Sequence, residues 1–323
     1  MEEILRLFPN TIRRQLEQRL TSRWDKLQEI RFRTQKPIEL IFDNHHEWLT
    51  EPIPTHQDRA YVVNQLSEFS LYRLSDELRE GFITIEGGHR VGIAGKVNTE
   101  NGVVKAIQPI SFFNIRIAKQ IKGVSKSLIP YLYEKGYKNT LMIGAPQTGK
   151  TTYIRDLTRM MSSGWQKAPA QKVGVIDERS EIGASINGIP QHDLGKRTDV
   201  LDACPKAEGM MMLIRSMSPD ILVVDEIGSD QDVTALLEAI HAGVTVICTA
   251  HGNSVTDIRN RPSFSRLFEQ NVFERFVILN QKKIGHIKAV YDSTMRPLLE
   301  AGGDKHEMVW RHTNHHRHNT DWI

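Results

Sequence analysis

Apolar residues recur at two different periods along this chain, and the period changes near residue 120. In the first stretch Ile12, Leu16 and Leu20 stand four apart, which predicts a helix over 10–20 with one stripe facing a core. QEIRFR (28–33) and PIELIF (37–42) alternate and flank Thr34-Gln35-Lys36, so they predict a hairpin. Residues 59–78 have the spacing of one or two helices. FITIEGGHRVGIAGKV (82–97) predicts two strands joined at Gly87-Gly88. NTENG (98–102) supplies a turn, and VVKAIQPI and FFNIRIA predict two further short strands. This part of the chain is an α+β unit rich in antiparallel pairing.

Beyond Lys122-Gly123 the pattern becomes an alternation of strands and helices. SLIPYLYEK (127–135) predicts a helix, and TLMIG (140–144) a strand. KVGVID (172–177), ILVVDE (221–226) and VTVICTA (244–250) are continuous apolar runs. Such runs belong to parallel strands covered by helices on both faces. FERFVIL (273–279) and HIKAVY (286–291) are expected as edge strands. The expected organisation is an N-terminal α+β domain over 1–122, an α/β domain over 123–302 and a tail over 303–323. The tail's end, WRHTNHHRHNTDWI, is read as a disordered, solvated end, with metal capture by its histidines as the alternative.

Composition narrows the partners. The 323 residues are 39% hydrophobic and 25% charged with a net charge of +3, as in an ordinary soluble globular protein. Cys204 and Cys248 are the two cysteines and lie far apart without metal-ligand spacing, so neither a disulfide framework nor a zinc site is indicated. The start, MEEILRLFPN, does not have the make-up of a secretory signal, and no run approaches the roughly 18 apolar residues of a spanning helix. Direct membrane insertion is therefore not expected.

The chemistry is concentrated at strand ends. GAPQTGKT, from Gly144 through Ala145, Pro146, Gln147, Thr148, Gly149 and Lys150 to Thr151, fits G-x-x-x-x-G-K-[ST] between an apolar strand and a helical stretch that Thr152 continues. By average residue frequencies such a pattern arises in about one chain in a hundred of this length. Gly149 lets the backbone curl so that successive N–H groups face a phosphate. Lys150 would reach the β- and γ-phosphates, and Thr151 offers a hydroxyl to Mg²⁺. ATP and Mg²⁺ are the ligands this pattern predicts. In ILVVDE, four apolar residues deliver Asp225 and Glu226 to the C-terminal end of a buried strand, where open α/β sheets bind ligands. Asp225 is placed to hold magnesium through water, and Glu226 to polarise the attacking water. VIDERSEI (175–182) ends another strand in Asp177, Glu178 and Glu181. These acids would grip magnesium waters (Asp177), orient the lytic water (Glu178) or pair with an arginine; a solvated loop is the competing reading. VTVICTAHGNS ends a fourth strand at Thr249 and His251, where a polar residue senses the γ-phosphate, unless His251 is a hydrogen-bonded structural histidine.

Taken together, GAPQTGKT, VIDERSEI, ILVVDEIG and TAHGNS resemble the P-loop, Asp box, Walker B and His box of the secretion ATPase superfamily, the motors of type II and type IV secretion and of type IV pili. Within it the likeness is to the members that serve endospore formation, carried further by MEEILRLFP, EIRFRTQKPIEL, GGHRVGIAGKV and NIRIAKQIKGV. Asp225 stands where secretion motors often carry glycine, and the four-cysteine zinc module of some members is missing. The resemblance implies a RecA-like P-loop core with a mostly parallel sheet, preceded by the smaller α+β domain. It implies an ATPase that works as a homohexameric ring, on the mother-cell cytoplasmic side, docked on membrane proteins of the sporulation stage III channel complex. It also implies that arginines complete the site, with Arg90, Arg116 and the core residue Arg215 as candidates. A nucleic-acid motor and a nucleotide-locked scaffold are the competing functions; the low net charge and the lack of an aromatic-basic stretch count against nucleic acid.

Overall fold

The computed structural model describes residues 1–43, 45–67, 81–100 and 102–300. By its contacts the chain forms two units, one of residues 1–120 with 183–192 and one of 121–182 with 193 onward. In the first, α1 (Glu2–Leu5) leads into α2 (Asn10–Leu20), and the stripe of Ile12, Leu16 and Leu20 is fully buried. Strands β1 (Leu27–Arg33), β2 (Ile38–Phe42) and β3 (His46–Leu49) are followed by α3 (His56–Ser67), β4 (Phe82–Ile85), β5 (His89–Glu100) and β6 (Val103–Arg116). They form an antiparallel sheet of order β3-β2-β1-β6-β5-β4. One face carries Ile30, Phe32, Leu40, Val91, Phe113 and Ile115 into a single cluster with the α2 stripe. Each such side chain taken from water contributes about 1.5–3 kcal/mol.

The hairpin over 28–42 and the strand pair around Gly87-Gly88 form as their alternation predicts. Two expectations fail. VVKAIQPI and FFNIRIA are one strand, because β6 stays paired with β5 through register shifts that absorb the irregular stretch near Gly95. The turn over 98–102 is correspondingly narrower, since β5 runs to Glu100. The second half of the helical stretch 59–78, Asn101 of that turn and the tail 303–323 lie outside the described residues.

In the second unit α4 (Ile129–Leu132) precedes β7 (Thr140–Gly144), α5 (Lys150–Ser163), β8 (Val173–Asp177), β9 (Thr198–Asp202), α6 (Lys206–Met217), β10 (Ile221–Val224) and α7 (Asp230–His241). There follow β11 (Thr245–His251), α8 (Val255–Arg259), α9 (Ser265–Glu269), β12 (Arg275–Leu279), β13 (Ile287–Asp292) and β14 (Pro297–Glu300). The sheet order is β14-β13-β12-β7-β11-β10-β8-β9. From β12 to β9 all neighbours are parallel, and β13 and β14 add antiparallel pairs. Alternate residues of the apolar runs go to opposite faces. Leu141, Ile143, Leu222, Val224, Val246 and Cys248 pack with α6 and α7, while Met142, Val223 and Ile247 pack with α5. This two-sided burial is why those runs lack alternation. The fold is α/β, a mostly parallel sheet between helical layers.

Here too the structure corrects the sequence. The helix expected over 127–135 is a 3₁₀ turn and the single turn α4, because Tyr133 turns extended and bridges to Tyr137. The strands at 273–279 and 286–291 are interior, with β12 wholly buried against β7; the edges are β14 and β9. Among the described residues no helix is long and apolar enough to cross a membrane.

Candidate active site

β7 is buried along its whole length and ends at Gly144, so the bend 145–149 begins at the sheet's C-terminal edge. Gln147 and Gly149 take φ of 62° and 99°, the left-handed values that swing the chain back into α5. At Gly149 this conformation favours a residue without Cβ. Thr148 Oγ1 donates to Ala145 O at 2.8 Å, and Lys150 Nζ donates to the same carbonyl at 3.2 Å. Pro146 lies within the bend, and Thr152 in the first turn of α5.

β10 stops at Val224, one residue before Asp225, and Glu226 then adopts φ 48°. A non-glycine residue in that region carries strain of about 1–3 kcal/mol, which neighbouring bonds must hold. Thr249 of β11, fully buried, supplies them. Its hydroxyl donates to Asp225 Oδ1, its Oγ1 accepts from Glu226 N–H at 2.8 Å, and its carbonyl accepts from Ile227 N–H at 2.9 Å. Thr151 Oγ1 donates to Asp225 Oδ2 at 3.2 Å. Lys150 Nζ, only 5% exposed, stands 3.4 Å from Glu226 Oε1. The structure thus brings Lys150, Thr151, Asp225 and Glu226 to one point. Burial raises the Asp225 carboxyl above its ordinary pKa and the charge of Glu226 adds to this, while the hydroxyls of Thr249 and Thr151 pull it back.

The loop after β8 meets this point differently from the sequence expectation. Asp177 is buried and its Oδ1 accepts from Glu181 N–H at 2.8 Å, closing the turn that follows the strand. Glu178 is paired with Lys206. The residue that reaches the acids is Arg179, whose Nη1 lies 3.0 Å from Glu226 Oε2. Arg155 of α5 fastens the loop by donating to Ile182 O at 2.8 Å and Glu181 O at 2.6 Å. Sequence by itself gives neither arginine a role; for Arg179 the available signal is a cation inside the acid-rich stretch, and Arg155 carries none. His251 is exposed at the end of β11, in register with Gly144. Arg90 and Arg116 belong to the first unit, opposite each other on β5 and β6, and Arg215 lies in the last turn of α6.

Magnesium fits these residues only as a shared ligand. Among the described residues no group of three or more His, Cys, Asp or Glu side chains could hold a metal by itself. The hydroxyl of Thr151 beside the Asp225 carboxylate is an all-oxygen pair, the donor set of a hard cation that keeps water and takes further oxygens from phosphate. A half-buried carboxyl with a raised pKa also gains from a nearby cation.

Comparison with known proteins agrees with this arrangement. The family model described as "Sporulation stage III, protein AA" matches residues 1–297. Stage III sporulation protein AA of Bacillus subtilis (strain 168) is 47% identical over 306 residues, covering 94% of this chain and 99% of that protein. Among solved structures, the pilus retraction motor PilT with bound ADP superposes with a TM-score of 0.57 at 15% identity, covering 81% of this chain and 77% of that one. The Legionella pneumophila ATPase DotB does so with a TM-score of 0.53 at 14% identity, covering 84% and 77%. At such identities these two likenesses establish the fold alone. The match over most of its length places the chain in the sporulation stage III, protein AA family, on the RecA-like P-loop ATPase fold.

Proposed function

We propose that the chain is an ATP hydrolase that energises a membrane-spanning secretion or channel complex between mother cell and forespore during sporulation. The observation that carries this reading is the meeting of Lys150, Thr151, Asp225 and Glu226 at the C-terminal edge of parallel strands, beside a glycine bend that opens a helix. The N–H groups of the bend and the first turn of α5 face the phosphates. Lys150 exchanges its contact with Glu226 Oε1 for the β- and γ-phosphates, and Glu226, still paired with Arg179 through Oε2, takes a proton from the attacking water at Oε1. Thr151 and, through water, Asp225 and Asp177 would hold Mg²⁺, which would supply neutralisation of the charge that develops on the phosphates. Thr249 keeps Asp225 and Glu226 in fixed relation through the step. Glu178 orients the water once it is released from Lys206, and His251 reports loss of the γ-phosphate. Arg90 and Arg116 are the arginines that complete the site, each from this chain or from a neighbour in a homohexameric ring. The ring works at the cytoplasmic face of the membrane on the mother-cell side and passes its closing motion to membrane-embedded partners of the channel complex.

Phosphate release by the full chain with ATP and magnesium tests the reading. Lys150→Ala is expected to lose nucleotide binding. Glu226→Gln is expected to retain binding while turnover falls by about 10²–10⁴. Arg90→Ala and Arg116→Ala test the completing arginines, where loss of such a group costs about 10³–10⁵ in rate. Turnover that survives both Lys150→Ala and Glu226→Gln would remove the site. Sedimentation with a non-hydrolysable analogue tests the ring.

A further inference from the structure

One loop outside the four motifs is fastened to the glycine bend. Residues 280–286 join β12 to β13, and Asn280 closes the loop by donating its N–H to His286 O at 2.8 Å. Asn280 Oδ1 also accepts from the N–H groups of Lys282 at 2.8 Å and Lys283 at 3.1 Å. Two bonds pin this loop to the site. Gly285 N–H donates to Thr148 O at 3.1 Å, and the buried Tyr153 hydroxyl of α5 donates to Gly285 O at 2.9 Å. The backbones touch, since a Cβ placed on Gly149 would lie 3.5 Å from Gly285 Cα. At the loop's tip Ile284 is 72% exposed, more than any other large apolar side chain among the described residues.

The order of strands gives the bound ligand a direction. β7 lies between β11 and β12. Asp225, Glu226 and Thr249 all come from the β11 and β10 side, so the reacting end of a triphosphate belongs there. The sugar and base then leave the bend on the β12 side, where the 280–286 loop stands.

We propose that this loop is the nucleobase subsite, with Ile284 lying against the face of the base and Tyr153 as the positioning residue that sets the loop's height. The proposal rests on the nucleotide reading above. An apolar shelf carries no hydrogen-bond code for the edge of a base, so it takes a purine nucleoside triphosphate while separating adenine from guanine only weakly.

Calorimetric titration of the full chain with a non-hydrolysable ATP analogue and with inorganic tripolyphosphate, both with magnesium, tests it. Ile284 is exposed, so Ile284→Ser leaves the core untouched. It is expected to weaken the ATP analogue about five- to tenfold and to leave tripolyphosphate within about twofold. Tyr153→Phe is expected to weaken the analogue with the same selectivity, by releasing Gly285. Equal loss for both ligands, or no loss for the analogue, overturns the subsite. A wild-type chain that binds neither ligand overturns instead the nucleotide reading beneath it.

Discussion

Thr249→Val removes one oxygen from the centre of the site and nothing else of its shape. That oxygen gives its proton to Asp225 and takes the N–H of Glu226, the residue held at φ 48°. A hydrogen bond to a charged group contributes about 1.5–3 kcal/mol, and a buried N–H left unpaired costs about 1–3 kcal/mol. The added methyl recovers about 0.8 kcal/mol, so the variant should lose about 2–5 kcal/mol of stability. Turnover should fall by about 10²-fold, because Glu226 loses the bond that holds its strained backbone in place. The loss also depends on pH. Asp225 has a raised pKa in the fold and therefore binds its proton more tightly folded than unfolded, so its ionisation weakens the fold as pH rises from the ordinary 3.8 through the raised value. Without the Thr249 hydroxyl that window extends upward. The stability gap between variant and wild type should widen toward neutral pH, and the acid limb of kcat/KM should move to higher pH. Denaturant unfolding and phosphate release across pH measure both, with Thr249→Ser as the control that keeps the hydroxyl. A valine variant within about 0.5 kcal/mol and twofold in rate of wild type, or a serine variant as slow as valine, would refute the bridging role.

Three further outcomes test the scaffold. Asp156, 1% exposed, accepts from the N–H groups of Gly123 at 2.9 Å and Ser125 at 2.8 Å. Asp156→Ala should therefore cost about 3–5 kcal/mol in unfolding free energy by stranding two donors and the partner charge of Arg159. Gly95→Ala would put a Cβ 2.1 Å from the backbone oxygen of Pro109, so it should destabilise the first unit by about 1–3 kcal/mol or more and lower its melting temperature. His89 is buried, accepts Ala118 N–H at Nδ1 and has its pKa lowered by burial, only partly offset by Glu3. The unfolded chain takes up that proton first, so stability should fall as pH drops below the ordinary 6.5, and His89→Gln should flatten that slope in urea titrations.

The chain's own order determined the glycine bend and the identity of the buried strands. Glycine, lysine and threonine act over a few neighbouring residues, and continuous apolar runs report two-sided burial wherever they occur. It also delivered Asp225 and Glu226 to a strand end, because the strand stops where its apolar residues stop. Contacts between distant residues were not written in any local period. FERFVIL reads as an edge and lies beside β7, since pairing partners depend on the whole sheet. TDVLD, half-buried along its length, shows no apolar run and was missed as the edge strand β9. In the acid-rich loop, sequence singled out Glu178, yet folding turns it to Lys206 and sends Arg179 to Glu226. The direction of a side chain on a loop follows from the bonds that close it, here Asp177 to Glu181 and Arg155 to Ile182, and those bonds exist only once β8 and α5 have packed. The same holds for residues 183–192, which join the first unit, and for 280–286, which meets the glycine bend across more than a hundred residues of chain.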